Sequence, residues 1–211
     1  MLVIGLTGGM GSGKSTVSRL LMEKGARMVD GDKVGHQLYE PGGPAYSEVV
    51  ATFGPGVVGP DGQIDRARLG SIVFADPDAL KRLNAIMHPK IKDVIAEVLQ
   101  GWRRDGAEVA VVEAAVLFEA KWADLVDEVW VTLSDEGTVV DRLSKAKGMS
   151  PEQVRARLRS QMPAEEKARR AHVVIRNDDS LEGLEKQVEA LWHSVNSRLK
   201  GSGSSSPAAP D

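Results

Sequence analysis

Three observations predict an α/β fold in which a parallel five-stranded sheet is flanked by helices. Short apolar runs alternate with amphipathic helical stretches along most of the chain. The first run, Leu2 to Leu6, leads into a segment where Gly8, Gly13, Lys14 and Ser15 fill the fixed positions of G-x-x-x-x-G-K-[ST]. Two later runs close on acids, Asp30 and Glu113, at the carboxyl ends of strands where ligands of open parallel sheets bind.

The glycine-rich segment has a strand before it and a helix after it, which is the context of a phosphate-binding loop. Glycines 8, 9, 11 and 13 leave room for a triphosphate to approach converging backbone N–H groups, and the helix beyond adds its positive N-terminal end. Lys14 can bridge the β- and γ-phosphates and the Ser15 hydroxyl can ligate Mg²⁺. Gly8, Gly11, Ser12, Gly13, Lys14, Ser15 and Thr16 are the candidate ATP-binding set within the loop. A glycine-rich turn with a solvated lysine is the bland alternative, and the flanking strand and helix disfavour it. A dinucleotide loop fits less well, because Lys14 and Thr16 stand where its third glycine would be. Val17, Leu20 and Leu21 fall at helical spacing, and Gly25 stands where a left-handed C-terminal residue is expected.

Composition narrows the function classes. The 211 residues, 42% of them apolar, suffice for one domain over residues 1–199 with an inserted substructure. A formal net charge of −3 argues against a dedicated nucleic-acid binder. The lack of cysteine removes disulfides, thiolate zinc sites and cysteine nucleophiles. No apolar run of bilayer-spanning length occurs, and the N-terminus enters a strand without a basic leader, so a cytoplasmic protein without a membrane partner is expected. A monomer or weak homo-oligomer is expected too.

Met28 to Asp30 is the second strand, followed by Gly31 and Asp32. Asp32, two residues further out of the strand, is the candidate general base reaching towards the phosphate loop, and Asp30, nearer the sheet, is the favoured cap; taken alone, either acid could cap the helix expected to begin near Lys33. From Glu40 to Asp65, the turns PGGP, FGPG and GPDG surround one short helix near Tyr46–Thr52. A helix reopens at Asp65, and Asp76-Pro77 reads as an N-cap with proline at the first helical position. His88-Pro89 should kink or break that helix, whose apolar stripe resumes from Ile91 to Trp102. Residues 33–105 thus form a helical region beside the sheet.

The third strand ends in Glu113, either an acid that holds Mg²⁺ or its water, or a cap for the next turn. Val129 to Leu133 is the fourth strand. Ser134 is expected to cap a helix that Gly148 ends, and Ser150-Pro151-Glu152-Gln153 is a capping box opening another, with Val154, Leu158 and Met162 inward. Between Arg142 and Arg170 the sequence holds nine Lys or Arg residues against three Glu. Such a run is either a solvated helical face or a lid, about 142–170, that folds over a triphosphate. Val173 to Ile175 is the last strand, Ser180 caps the terminal helix, and residues 200–211 read as a disordered tail.

With VDGDKVGH, LNAIMHPKI, VVEAAVLFEAKW, RLRSQMPAEEK and VVIRN placed beside the phosphate loop, residues 1 to about 199 resemble the dephospho-coenzyme A kinases. The resemblance implies a P-loop NTPase fold with a helical substrate-side insertion and a lid. It implies transfer of the ATP γ-phosphate to the ribose 3′-hydroxyl of dephospho-CoA, the last step of coenzyme A synthesis, with ATP and Mg²⁺ required. It also implies Asp32 as the catalytic acid, Lys14 and Ser15 as phosphate and Mg²⁺ contacts, and Arg142 as the lid arginine. Asn177 would lie on the adenine side, with His88 and Glu113 on the substrate side. The chain departs from the family at Glu113 and Ala115, where Asp and Pro are usual, as in the kinase half of the bifunctional animal CoA synthase. It departs again at Ala146, where a second lid arginine is common, and at Asp178-Asp179 after Asn177. Other small-molecule P-loop kinases, or a nucleotide-dependent switch, share the loop; a guanine-reading N-K-x-D is absent.

Overall fold

The computed structural model describes residues 1–159 and 161–202. In chain order it has strand β1 (Leu2–Gly8), helix α1 (Lys14–Glu23), strand β2 (Arg27–Asp30) and helix α2 (Gly31–Leu38). Helices α3 (Tyr46–Phe53), α4 (Arg66–Ala75) and α5 (Pro77–Arg104) precede strands β3 (Val109–Glu113) and β4 (Glu128–Leu133). Helices α6 (Glu136–Lys147), α7 (Pro151–Arg159) and α8 (Ala164–Arg170), strand β5 (Val173–Arg176) and helix α9 (Leu181–Ser202) follow. The strands form one sheet in the order β2-β3-β1-β4-β5, every neighbouring pair parallel.

Alternation along the strands explains why both faces are covered. Val3, Ala110 and Val112 face a core shared with α2 to α5, whereas Ile4, Leu6, Val109 and Val111 face α1 and α9. A third, smaller cluster of Val139, Val140, Leu143 and Val154 joins α6 to α7, and Met10 of the glycine-rich loop packs against it.

The helix boundaries follow local chemistry. Asp65 and Asp76 cap α4 and α5 through backbone N–H groups, with Pro77 in the first turn of α5. The reciprocal capping box at α7 forms: Ser150 N donates to Gln153 Oε1 at 2.9 Å, and Gln153 N donates to Ser150 Oγ at 3.3 Å. Gly25 and Gly148 take positive φ after α1 and α6.

Three local expectations are corrected. The helix containing His88-Pro89 does not break there, because α5 runs from Pro77 to Arg104. Proline removes one backbone donor, but Ile86, Met87, Ile91, Ile95 and Leu99 bury one face of the helix on both sides of it. Ser134 does not cap α6; Asp135 is the N-cap, without a side-chain bond, and the buried Ser134 hydroxyl donates to the Asn177 carbonyl at 2.7 Å. Met162 is not on α7, which ends at Arg159. The expected tail lies mostly outside the described residues, and α9 continues through Ser202.

Candidate active site

Register brings the acids of the sheet together. Glu113 lies level with Leu6 on one side and with Asp30 on the other, at the carboxyl ends of β3, β1 and β2. At Gly8, β1 gives way to the phosphate loop, and α1 starts at Lys14 with Gly13 as an N-cap that has no side-chain bond. The first N–H groups of α1 are therefore available to an anion. Gly13 has φ +97°, and a Cβ there would stand 2.1 Å from Asn177 Nδ2. Only glycine fits this backbone in this place.

A cavity of about 640 Å³ opens over this point, lined by Gly11, Gly13, Lys14, Ser15, Thr16, Asp32, Glu113, Arg142 and Asn177, among others. The structure thus brings together most of the residues expected from the sequence. Gly8 contributes its carbonyl, which accepts from Lys14 Nζ at 2.9 Å, and the Gly9 carbonyl accepts from the same atom at 3.0 Å. Ser12 is buried: its hydroxyl donates to the Gly9 carbonyl at 2.8 Å and shares a 2.6 Å hydrogen bond with Thr132 Oγ1. Its side chain braces the loop from behind. His88 lies outside the cavity, on α5, edge-on to Trp122 with ring centroids 5.7 Å apart.

The two aspartates after β2 are separated in role by the backbone. Asp30 Oδ1 accepts from the N–H groups of Asp32 and Lys33 at 3.0 and 3.1 Å, capping α2. Asp32, in the first turn, is left at the cavity wall. Crowding by the surrounding protein, and then the charge of Asp30, raise the Asp32 pKa above the ordinary carboxylate value, against the opposing pull of Lys14. Burial lowers the Lys14 pKa, and Glu113 and Asp32 oppose that shift. Glu113 also accepts from the Ser18 hydroxyl of α1.

Arg142 reaches back from α6 to the end of β5. Its Nη1 donates to the Asn177 carbonyl at 2.7 Å and to Ser134 Oγ at 3.3 Å, and Nη2 donates to Asn177 Oδ1 at 3.4 Å. Asn177 Nδ2 in turn donates to the Ser12 carbonyl at 3.0 Å. One chain of bonds therefore runs from the phosphate loop through Asn177 to α6. Ala146 and Lys147 reach the cavity wall, and Lys145 does not.

Two features had no sequence signal. Lys167, in the basic run, is fully buried instead of solvated, and Glu119 is its partner. Trp122, in the loop after β3, is buried against Gly31, and its indole donates to the His88 carbonyl at 3.2 Å. Both depend on contacts across about 34 to 91 residues of sequence, which periodicity does not encode.

A parallel sheet of this order, with a glycine-rich loop between β1 and α1 and a carboxylate after β2 facing one cavity, defines a P-loop phosphotransferase. The family model described as dephospho-CoA kinase matches residues 2–183. A dephospho-CoA kinase of Geobacter sulfurreducens is 50% identical over 192 residues, covering 91% of this chain and 98% of that one. A crystal structure from Thermus thermophilus superposes with a TM-score of 0.78 at 36% identity, covering 92% of this chain and 97% of the other. The dephospho-CoA kinase of Campylobacter jejuni gives 0.69 at 25% identity, with the same coverage. The chain belongs to the dephospho-CoA kinase family.

Proposed function

We propose that this protein transfers the γ-phosphoryl group of ATP to the ribose 3′-hydroxyl of dephospho-CoA. The observation that carries the mechanism is the division of labour after β2: Asp30 satisfies the helix N-terminus, leaving Asp32 free to face the cavity shared with Lys14 and Ser15. Asp32 hydrogen-bonds the acceptor hydroxyl and takes its proton as the new O–P bond forms and the bond between the γ-phosphorus and the β,γ-bridging oxygen breaks, releasing ADP. A pKa raised from the carboxylate norm makes Asp32 a stronger base than a free aspartate while leaving it suited to hold the proton.

The Lys14 ammonium, held on the loop carbonyls in this structure, turns to the β- and γ-phosphates, where it offsets charge shifting during transfer. Gly8, Gly11, Ser12, Gly13 and Thr16 shape the loop that receives the phosphates, and Asn177 borders the adenine. Arg142 and Lys147, on α6, cover the phosphates from the other side, so that α6, α7 and α8 serve as the lid. The donor set fits Mg²⁺: the exposed Ser15 hydroxyl would hold it, and the Glu113 carboxylate offers a second hard oxygen to the same cavity. When bound, Mg²⁺ supplies neutralisation of the phosphate charge. His88 acts on the acceptor side only through the helix it shares with the α2–α5 region.

The enzyme works in the cytoplasm as a monomer or weak homo-oligomer on a small-molecule substrate, without nucleic-acid or membrane partners. Among the described residues no helix is long and apolar enough to cross a membrane. The test is incubation of the purified protein with MgATP and dephospho-CoA, followed by mass spectrometry. Conversion to CoA is expected; phosphorylation of a nucleoside with dephospho-CoA unchanged would assign the site to another small-molecule kinase.

A further inference from the structure

Lys167 is among the largest fully buried side chains of the protein, and nothing in the mechanism above uses it. It sits on α8, where its ammonium donates to the Ala115 carbonyl and pairs with Glu119 Oε1 at 3.0 Å. A charge withdrawn from water is tolerated only where fixed partners replace the solvent, so these contacts define one geometry. Both partners lie on the segment 114–119 that leaves the end of β3.

The same segment is gripped from the catalytic side and from the lid side. Thr7 Oγ1 donates to the Ala115 carbonyl at 3.3 Å, and Ala114 N donates to the Leu6 carbonyl at 3.0 Å. Thr7 directly precedes Gly8, the first glycine of the loop. From the other side, Met162 N, just before α8, donates to Glu119 Oε1 at 3.0 Å. The second oxygen of Glu119 is buried with no hydrogen-bond partner among the described residues. The Lys167 charge is also felt at Lys14, whose own charge it opposes.

We propose that Lys167 is a positioning residue for phosphoryl transfer: through Ala115 and Glu119 it ties the base of the lid to the strand end from which the phosphate loop springs. The proposal rests on the phosphotransfer reading above. Lid and loop then share a second anchor besides the Asn177 chain, and removing it leaves α6 tied to the phosphate loop through Asn177 alone, so that α7 and α8 lose their alignment with the loop while each remains folded. The effect falls on turnover, which needs that alignment, more than on nucleotide binding, which the loop supplies alone.

The experiment compares Lys167→Met, Glu119→Gln and the double variant with the parent in thermal unfolding, in kcat and KM for both substrates, and in ATP-dependent hydrogen-exchange protection of α7 and α8. Each single variant unpairs a charged group and is expected to melt lower. The double variant, in which neither charge remains, should regain most of the melting temperature. Its kcat should nonetheless stay at least tenfold below the parent, with KM for ATP within about threefold. If kcat recovers together with stability, or if Lys167→Met turns over normally, Lys167 is a structural residue only and the proposal falls. Should Lys167→Met fail to fold, the double variant carries the same comparison. The exchange readout does not depend on the acceptor: parent-like ATP protection of α7 and α8 in the double variant overturns the proposal, whereas an inactive parent with ATP protection lost only in the variants overturns the substrate assignment alone.

Discussion

Substituting the two aspartates after β2 separates a structural carboxylate from a chemical one. Asp30→Ala removes an acceptor of two backbone N–H bonds at 3.0 and 3.1 Å, the whole side-chain cap of α2. Loss of such a cap costs about 1 kcal/mol, which lowers the melting temperature by roughly 2–4 °C in a chain of this length. Asp30→Asn keeps an equally good cap and should melt within a degree or so of the parent, by roughly that conversion. Asp32 accepts no side-chain hydrogen bond among the described residues, so Asp32→Asn costs the fold nothing. It removes the proton acceptor, and loss of a general base lowers kcat by about 10²- to 10⁴-fold, or about 2.7–5.4 kcal/mol in the barrier.

The pH dependence gives a second signature. Activity requires the Asp32 carboxylate, and crowding and Asp30 raise its pKa, so the acid limb of kcat/KM should lie above that of an ordinary aspartate. Asp30→Asn removes one of those causes and should move the limb to lower pH. For stability the sign is also fixed. A folded-state pKa above the unfolded value means the native state holds more protons, so stability falls as pH rises through that interval. Asp32→Asn should therefore be as stable at neutral pH as the parent, or more so. The assay is ADP release coupled to NADH oxidation, with dephospho-CoA as acceptor and matched thermal scans. An inactive Asp30→Asn beside an active Asp32→Asn would refute the assignment of the base.

Arg142→Lys keeps the charge but cannot span the Asn177 carbonyl, Ser134 Oγ and Asn177 Oδ1 together; kcat should drop roughly tenfold or more, and an unchanged kcat would remove the guanidinium from the reaction. Gly13→Ala drives a methyl group to 2.1 Å from Asn177 Nδ2 at φ +97°, which should cost about 2–4 kcal/mol between backbone strain and the lost Asn177–Ser12 bond. Thermal unfolding and calorimetric titration with ATP check this, and wild-type values in both would show that the loop relaxes freely.

Parts of the molecule whose physics is local can be read from the residues alone. A buried strand needs only an apolar run, a phosphate loop needs glycines and a lysine at fixed spacing, and a cap needs an Asp or Ser just ahead of a helix. The five strands, the loop, the cap at Asp76 and the capping box at Ser150 were therefore all legible. The family, too, was legible in its motifs. Tertiary structure decided which local option won where the sequence allowed two. The helix passes through Pro89 because buried side chains on both sides of it outweigh one missing backbone bond. Ser134 serves Asn177 instead of the helix because β4 and β5 lie side by side, a pairing across 43 residues. Lys167 is buried because Glu119 and Ala115, about 50 residues earlier, come to meet it. Charge along a helix announces solvent only until a distant partner is folded against it, and that partner is set by sheet order, which no local pattern carries.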